Sequence, residues 1–207
     1  MSLRDIINRP FSEWMKGSGP DRDVVLGSRI RLARNVAGVP FPAVASDEQL
    51  EHVLNLCREA VENSPSLSRM QLVTMNSLTP LERQILVERH LVSPQHTKGV
   101  KHKAVILRDD EAVSVMINEE DHVRIQVLMP GQQLPLALDV AERVDEALEE
   151  HLPYAFTETR GYLTACPTNV GTGLRASLMV HLPALVMTEQ INRIITAVGK
   201  FGLTVRG

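Results

Sequence analysis

Two cysteines, Cys57 and Cys166, are too few for a disulfide framework in a chain of 207 residues. Free thiols suit a reducing compartment, so the expected location is the cytoplasm. No apolar run approaches the roughly 20 residues of a membrane span. Residues 1–20 lack the apolar core of a secretory leader. A formal net charge of −3 gives no general pull toward nucleic acid or anionic lipid. The chain has neither GxxxxGKS/T nor GxGxxG, which excludes the two commonest glycine-loop modes of holding a nucleotide. HExxH is missing too, and His90, His96 and His102 stand six apart with no cysteine near, so no metal site is expected.

What is present is an ordinary globular composition, 43% hydrophobic and 23% charged. LRDIINRPFSEWMKGSGP reads as a short amphipathic helix that ends at Gly17, Gly19 and Pro20. We take residues 1–20 as an N-terminal helical segment and residues 21–207 as one domain. DVVLGSRIRLARN is extended, with Arg29 and Arg31 on one face and Ile30 and Leu32 on the other. SDEQLEHVLNLCREAVEN opens on a capping box, Ser46 with Gln49. Its stripe of Leu50, Val53, Leu54, Cys57 and Val61 makes Cys57 a small buried hydrophobe. QLVTMN predicts a strand. TPLERQILVERHL predicts a second capped helix, with Thr79, Pro80 and Glu82 at its start.

KAVILRDDEAVSVMINEEDHVRIQVLM alternates as strands do, with turns at Asp109-Asp110 and near Asn118–Asp121. PLALDVAERVDEALEEHL predicts a long helix, GYLTAC a short strand, LPALVMTEQINRIITAVGKFG a further helix and LTVRG a last strand. Short turns outnumber helical crossovers. The expected fold class is therefore α+β, a mostly antiparallel sheet flanked by helices.

Three groups of residues carry chemistry. Val123, Ile125 and Val127 alternate with His122, Arg124 and Gln126, and Glu119 and Glu120 lie at the turn before them. Taken alone, those carboxylates are better read as a solvated acidic hairpin tip. Arg29 and Arg31 share one strand face, and Arg124, Arg175 and Arg206 sit on other strands or turns. Several guanidinium forks converging from such places match the oxygens of a polyphosphate. Cys166 follows a strand, precedes a proline and lies among small polar residues, where backbone donors and the hydroxyls of Thr168 and Thr172 can stabilise a thiolate. A buried inert thiol is the alternative.

CPTNVGTGLRAS (166–177), together with NEEDHVR, closely resembles the signature motifs of the guanidino-phosphotransferase (phosphagen kinase) family. SRIRLARN resembles its arginine-bearing N-terminal segment, and VRG the start of a phosphate-contacting loop. The resemblance runs from about residue 21 to residue 207, and the short N-terminus looks most like the bacterial protein-arginine kinases of that family.

The resemblance implies an antiparallel catalytic sheet flanked by helices. It also implies roles: Glu120 as the base that orients and deprotonates a guanidinium, Cys166 as a thiolate against the same group, and Glu119, Thr168 and Asn169 near the acceptor. Ser28, Arg29, Arg31, Arg124, Arg175, Ala176, Ser177 and Arg206 would surround ATP, with Mg2+ carried by the nucleotide, and His90 would lie beside the adenine. It further implies protein substrates with exposed arginines, an activator protein, a Clp-type ATPase or protease in stress response, and a homodimer when full length. The family continues beyond the arginine-glycine, so the C-terminal part of the domain is expected to be missing here. Two alternatives stay open: a kinase of free guanidino compounds, and a non-catalytic remnant that binds nucleotide or a partner.

Overall fold

Both capping boxes read from the sequence form in the computed structural model, which describes residues 9–206. Ser46 accepts from the Gln49 amide while the Gln49 side chain accepts from the Ser46 N–H at 2.8 Å, opening helix α1 (Asp47–Asn63). Thr79 and Glu82 do the same for α2 (Pro80–Glu88). Each box satisfies amide groups that the first helical turn leaves unpaired.

The strands are β1 (Val25–Arg34), β2 (Met70–Thr74), β3 (Ala104–Arg108), β4 (Val113–Ile117), β5 (Val123–Pro130), β6 (Phe156–Thr157), β7 (Gly161–Tyr162) and β8 (Leu174–Val180). Six form one sheet in the order β2-β3-β4-β5-β1-β8, and every pair in it is antiparallel. β6 and β7 make a separate hairpin.

Alternation divides the sheet into two faces. On one, Ile30, Leu32, Ile106, Val115, Ile125 and Val127 pack under α1 and α3 (Leu134–Glu149) in a single buried cluster with Val53, Leu54, Ala141 and Leu148. Each large aliphatic side chain buried there contributes roughly 1.5–3 kcal/mol. On the other face, Val105, Leu107 and Met116 lie under Leu86 of α2 and the adjoining Met75, Leu91 and Val92. That second cover reaches β2, β3 and β4, and Trp14 covers the same face over Gly27 of β1. On the same face the middle of β5, β1 and β8 carries the polar side chains Arg124, Gln126, Arg29, Arg31, Arg175 and Ser177.

Several expectations need correction. Much of LRDIINRPFSEWMKGSGP lies outside the described residues; of the rest, Glu13–Lys16 forms one 3-10 turn packed on β1 and β5. α2 stops at Glu88, because His90 takes a left-handed φ of 59° that no α-helix accommodates. GYLTAC is a strand only over Gly161–Tyr162. The helix expected over 182–202 is two, α4 (Pro183–Met187) and α5 (Ile191–Lys200), divided where Glu189 turns to φ 58°. Residues 203–206 form no strand, because they join no backbone ladder. No side chain between residues 183 and 206 is buried.

Candidate active site

The uncovered face is built by register. Arg31 of β1 stands opposite Gln126 of β5 on one side and Arg175 of β8 on the other. Arg29 stands opposite Ser177 and donates from Nε to its hydroxyl at 3.3 Å. Arg124 of β5 stands opposite Ala33. Strands about 5 Å apart therefore bring four guanidinium groups over one patch of sheet. The crowding shows in their acid–base balance. Burial and then the charges of Arg29, Arg175, Arg124 and Arg206 pull Arg31 down to about 10. Burial, Arg175 and Arg124 lower Arg29. The Arg31 Nε is buried without a hydrogen-bond partner. Like charges held together in partial burial are costly, and an anion placed among them relieves that cost.

Two carboxylates border the patch. Arg124 reaches Glu119 at 2.6 Å and Glu120 at 2.9 Å, but the two differ in exposure: 5% for the Glu119 side chain and 50% for that of Glu120. Glu119 also accepts from the Ser93 hydroxyl at 2.5 Å and from the Glu120 amide at 3.2 Å. Glu119, expected near the acceptor, is turned inward and holds Arg124, with both its oxygens engaged. Glu120 faces solvent with a free edge, as a base for an incoming cation must.

Cys166 reaches the same border through a buried polar link. Asp121, fully buried, accepts from Asn35 Nδ2 and from the Ala165 amide, each at 2.7 Å. Asn35 in turn accepts from the His122 amide at 2.9 Å and donates to the Leu163 carbonyl at 3.0 Å. The residue after Glu120 is thereby bonded to the residue before Cys166, with the end of the arginine strand between them. Cys166 Sγ is half-buried and lies 3.0 Å from the Thr168 hydroxyl, in a 3-10 turn (Pro167–Asn169) closed by the Asn169 amide on the Cys166 carbonyl. Cys57, by contrast, is wholly buried and its thiol is pushed up to about 12.

Arg34 fixes the far side of this loop. It donates to the Thr172 carbonyl at 3.0 Å, pairs with Asp145 at 2.6 Å and lies 3.6 Å over the Tyr162 ring. Burial holds the Asp145 carboxyl above the usual range even with Arg34 beside it. Gly173, at φ 65°, passes so close that a Cβ would stand 2.5 Å from the Ala33 carbonyl oxygen. Only glycine fits there.

Of the residues named from the sequence, Arg29, Arg31, Arg124, Arg175 and Ser177 share the open face. His90 is exposed beside it, its ring held below the usual histidine range by burial and then by Arg29. Arg206 lies within reach of Arg31 electrostatically, though in irregular chain. Thr168 and Asn169 belong to the Cys166 turn.

Two are corrected. The Ser28 side chain points to the opposite side of β1, fully buried, donating to the Gly131 carbonyl at 2.7 Å and accepting from the Gln133 amide at 2.7 Å. Ala176 is paired with Ile30, so alternation turns its methyl away from the arginines. Sequence reasoning missed the roles of Asn35, Asp121 and Arg34, although all three are polar residues inside the quoted motifs SRIRLARN and NEEDHVR and all three are buried.

Comparison with known proteins identifies the family. Residues 51–207 match the family described as ATP:guanido phosphotransferase, C-terminal catalytic domain. The chain belongs to the ATP:guanido phosphotransferases. Among curated relatives in this family, the protein-arginine kinase of Brevibacillus brevis is 51% identical over 209 residues, covering 100% of this chain and 58% of that protein. That of Halalkalibacterium halodurans is 53% identical over 211 residues, again 100% and 58%. The chain thus spans somewhat over half the length of these relatives. In fold it is similar to the duplicated taurocyamine kinase of Schistosoma mansoni bound to transition-state-analogue components. There the TM-score is 0.77 at 20% identity, over 95% of this chain and 28% of that one. It is similar also to lombricine kinase, with TM-score 0.75 at 24% identity over 92% and 58%. This guanido phosphotransferase domain holds no helix, among its described residues, long and apolar enough to cross a membrane.

Proposed function

We propose that this chain acts in a protein-arginine kinase, moving the γ-phosphoryl group of ATP to the guanidinium of arginine residues in proteins. The observation that carries the reading is the layout of charge: four guanidinium groups crowded on one sheet face, bordered by an outward carboxylate and a half-buried thiol. The names of the relatives that are about half identical to it support the choice of acceptor.

A protonated guanidine has no free electron pair on nitrogen, and its pKa lies above roughly 12. Glu120 accepts one N–H proton and so frees a pair on that nitrogen. The pair forms the N–P bond as the bond from the γ-phosphorus to the bridging oxygen breaks, and ADP leaves with those electrons. Arg29, Arg31, Arg124 and Arg175 hold the phosphate oxygens and balance the charge that spreads over the transferring group, where positioning and electrostatics supply most of the acceleration. Cys166, as thiolate, adds a negative contact to the acceptor. No three His, Cys, Asp or Glu side chains converge as a metal cage among the described residues. Mg2+ enters this reading with the nucleotide's own phosphates, as part of the substrate.

An activator protein, a Clp-type ATPase or protease, a role in stress response, dimerisation of the longer protein and a cytoplasmic location belong to the same proposal. The deciding experiment is incubation with Mg-ATP and either an unfolded protein or free arginine, followed by mass spectrometry at neutral pH for the acid-labile phosphoarginine. Product on the protein alone supports the reading. Product on free arginine moves the chain to the phosphagen kinases, and product on neither makes it a binding remnant.

A further inference from the structure

Ser93 lies outside every motif that marks the active site, in the loop between α2 and β3. Its polar groups are nevertheless all engaged. The hydroxyl donates to Glu119 at 2.5 Å and accepts from the His96 amide at 3.1 Å. A serine hydroxyl has one proton to give, and here it goes to the carboxylate. The Ser93 amide rests 3.3 Å from the Met116 sulfur. Met116 of β4 is the direct cross-strand partner of Arg124, so Ser93 sits over the strand pair that carries that arginine.

The loop around it is pinned to the sheet. His96 is fully buried, and its Nε2 lies 2.9 Å from the carbonyl oxygen of Ala104, the first residue of β3. The His96 amide also donates to the Ser93 carbonyl at 3.0 Å, closing a tight turn over Pro94 and Gln95. From β3 the contacts run through His96, Ser93 and Glu119 to the Arg124 guanidinium, 2.6 Å from the carboxylate.

Of the two Glu119 oxygens, Oε2 takes Arg124 and the Glu120 amide, and Oε1 takes Ser93. Without the serine hydroxyl, a carboxylate only 5% exposed would keep an oxygen that has lost its donor. A buried charged acceptor in that state is costly, and turning outward to water relieves the cost. Arg124, its closest charge partner, would follow it and leave the arginine face. Glu119 would then stand beside Glu120, where only one carboxylate has a role.

We propose that Ser93 is a positioning residue for phosphoryl transfer. Through Glu119 it holds Arg124 on the phosphate face, while Glu120 stays outward for the acceptor. This rests on the arginine face being a polyphosphate site, and the test separates the two. The intact chain is titrated by calorimetry with Mg-ATP and with tripolyphosphate. Ser93→Ala weakens both by roughly tenfold, and Ser93→Thr, which keeps the hydroxyl, recovers most of the loss. In a Glu119→Ala background Ser93→Ala costs nothing further, because the path it acts through is already cut; a merely structural role would give losses that add. A second measurement uses the unaltered chain and stands whether or not the Ala variant folds. Tripolyphosphate, by ordering Arg124, slows hydrogen exchange at the His96 amide, as reciprocal coupling requires. Unchanged affinity in Ser93→Ala, additive losses in the double variant, or His96 exchange indifferent to tripolyphosphate each overturn the Ser93 assignment alone. Failure of both ligands to bind the unaltered chain overturns the phosphate site and the Ser93 role with it.

Discussion

The two faces of β1 are one residue apart and opposite in kind. Ile30 and Leu32 are 2% and 3% exposed, set in the cluster under α1 and α3. Arg29 and Arg31, their immediate neighbours, face a patch where each charge disfavours the next. One face of the strand stabilises the fold, and the other costs stability until an anion arrives. Such a division marks a binding surface: a solvated cationic face needs no convergence of strands, whereas this one brings arginines together from β1, β5 and β8.

Breaking the polar border has the largest consequence. Glu120→Gln removes the outward base and lowers phosphoryl transfer by about a thousandfold, with ATP affinity by calorimetry nearly unchanged; lost affinity would give Glu120 a binding role instead. Breaking the apolar face comes next. Ile30→Ala lowers stability by about 3 kcal/mol in urea unfolding, yet the folded protein keeps its ATP affinity.

The loop that brings Ser93 to Glu119 carries a pH-sensitive contact. His96 is fully buried with Nε2 2.9 Å from the Ala104 carbonyl oxygen, and burial lowers its pKa to about 4. The unfolded chain binds a proton there below pH 6.5 and the folded chain does not. Stability is therefore full above that pH and is lost as pH falls from 6.5 toward 4, by up to about 3 kcal/mol. Unfolding curves across that window check it, and His96→Gln flattens them.

The last change sharpens the comparison. Arg31→Gln weakens ATP by roughly a hundredfold but raises the melting temperature of the free protein by a few degrees, since a crowded charge has gone. A lower melting temperature would mean that the arginines support the fold rather than strain it.

Much of this was legible in sequence because the signals are local. Ser46 with Gln49, Thr79 with Glu82, the alternation of SRIRLARN and the turns at Asp109-Asp110 and Asn118–Asp121 depend on residues three or four apart. The arginine, glutamate and cysteine motifs were equally plain. What escaped depends on long-range pairing. Nothing local places β1 between β5 and β8, and that placement decides that Arg124 and Arg175 join Arg29 and Arg31 on one face; the opposite facing of Ser28 and Ala176 follows from alternation alone. Asp121 looks like one more acidic turn residue until Ala165, 44 positions on, proves to be its partner. Trp14 reads as part of an amphipathic segment until Arg89 and His90 meet it. The missing strand at residues 203–206 reflects a ladder not made with distant backbone, whereas the break at Glu189 is a local left-handed turn closed by Gln190 on the Leu185 carbonyl.

The central claim is that the open face reads phosphate. The most direct measurement is the affinity of AMP, ADP and ATP for the intact chain, with Mg2+, by calorimetry at two salt concentrations. Affinity that climbs with each added phosphate and falls as salt rises is the predicted result. Equal affinity for the three nucleotides, indifferent to salt, would contradict it.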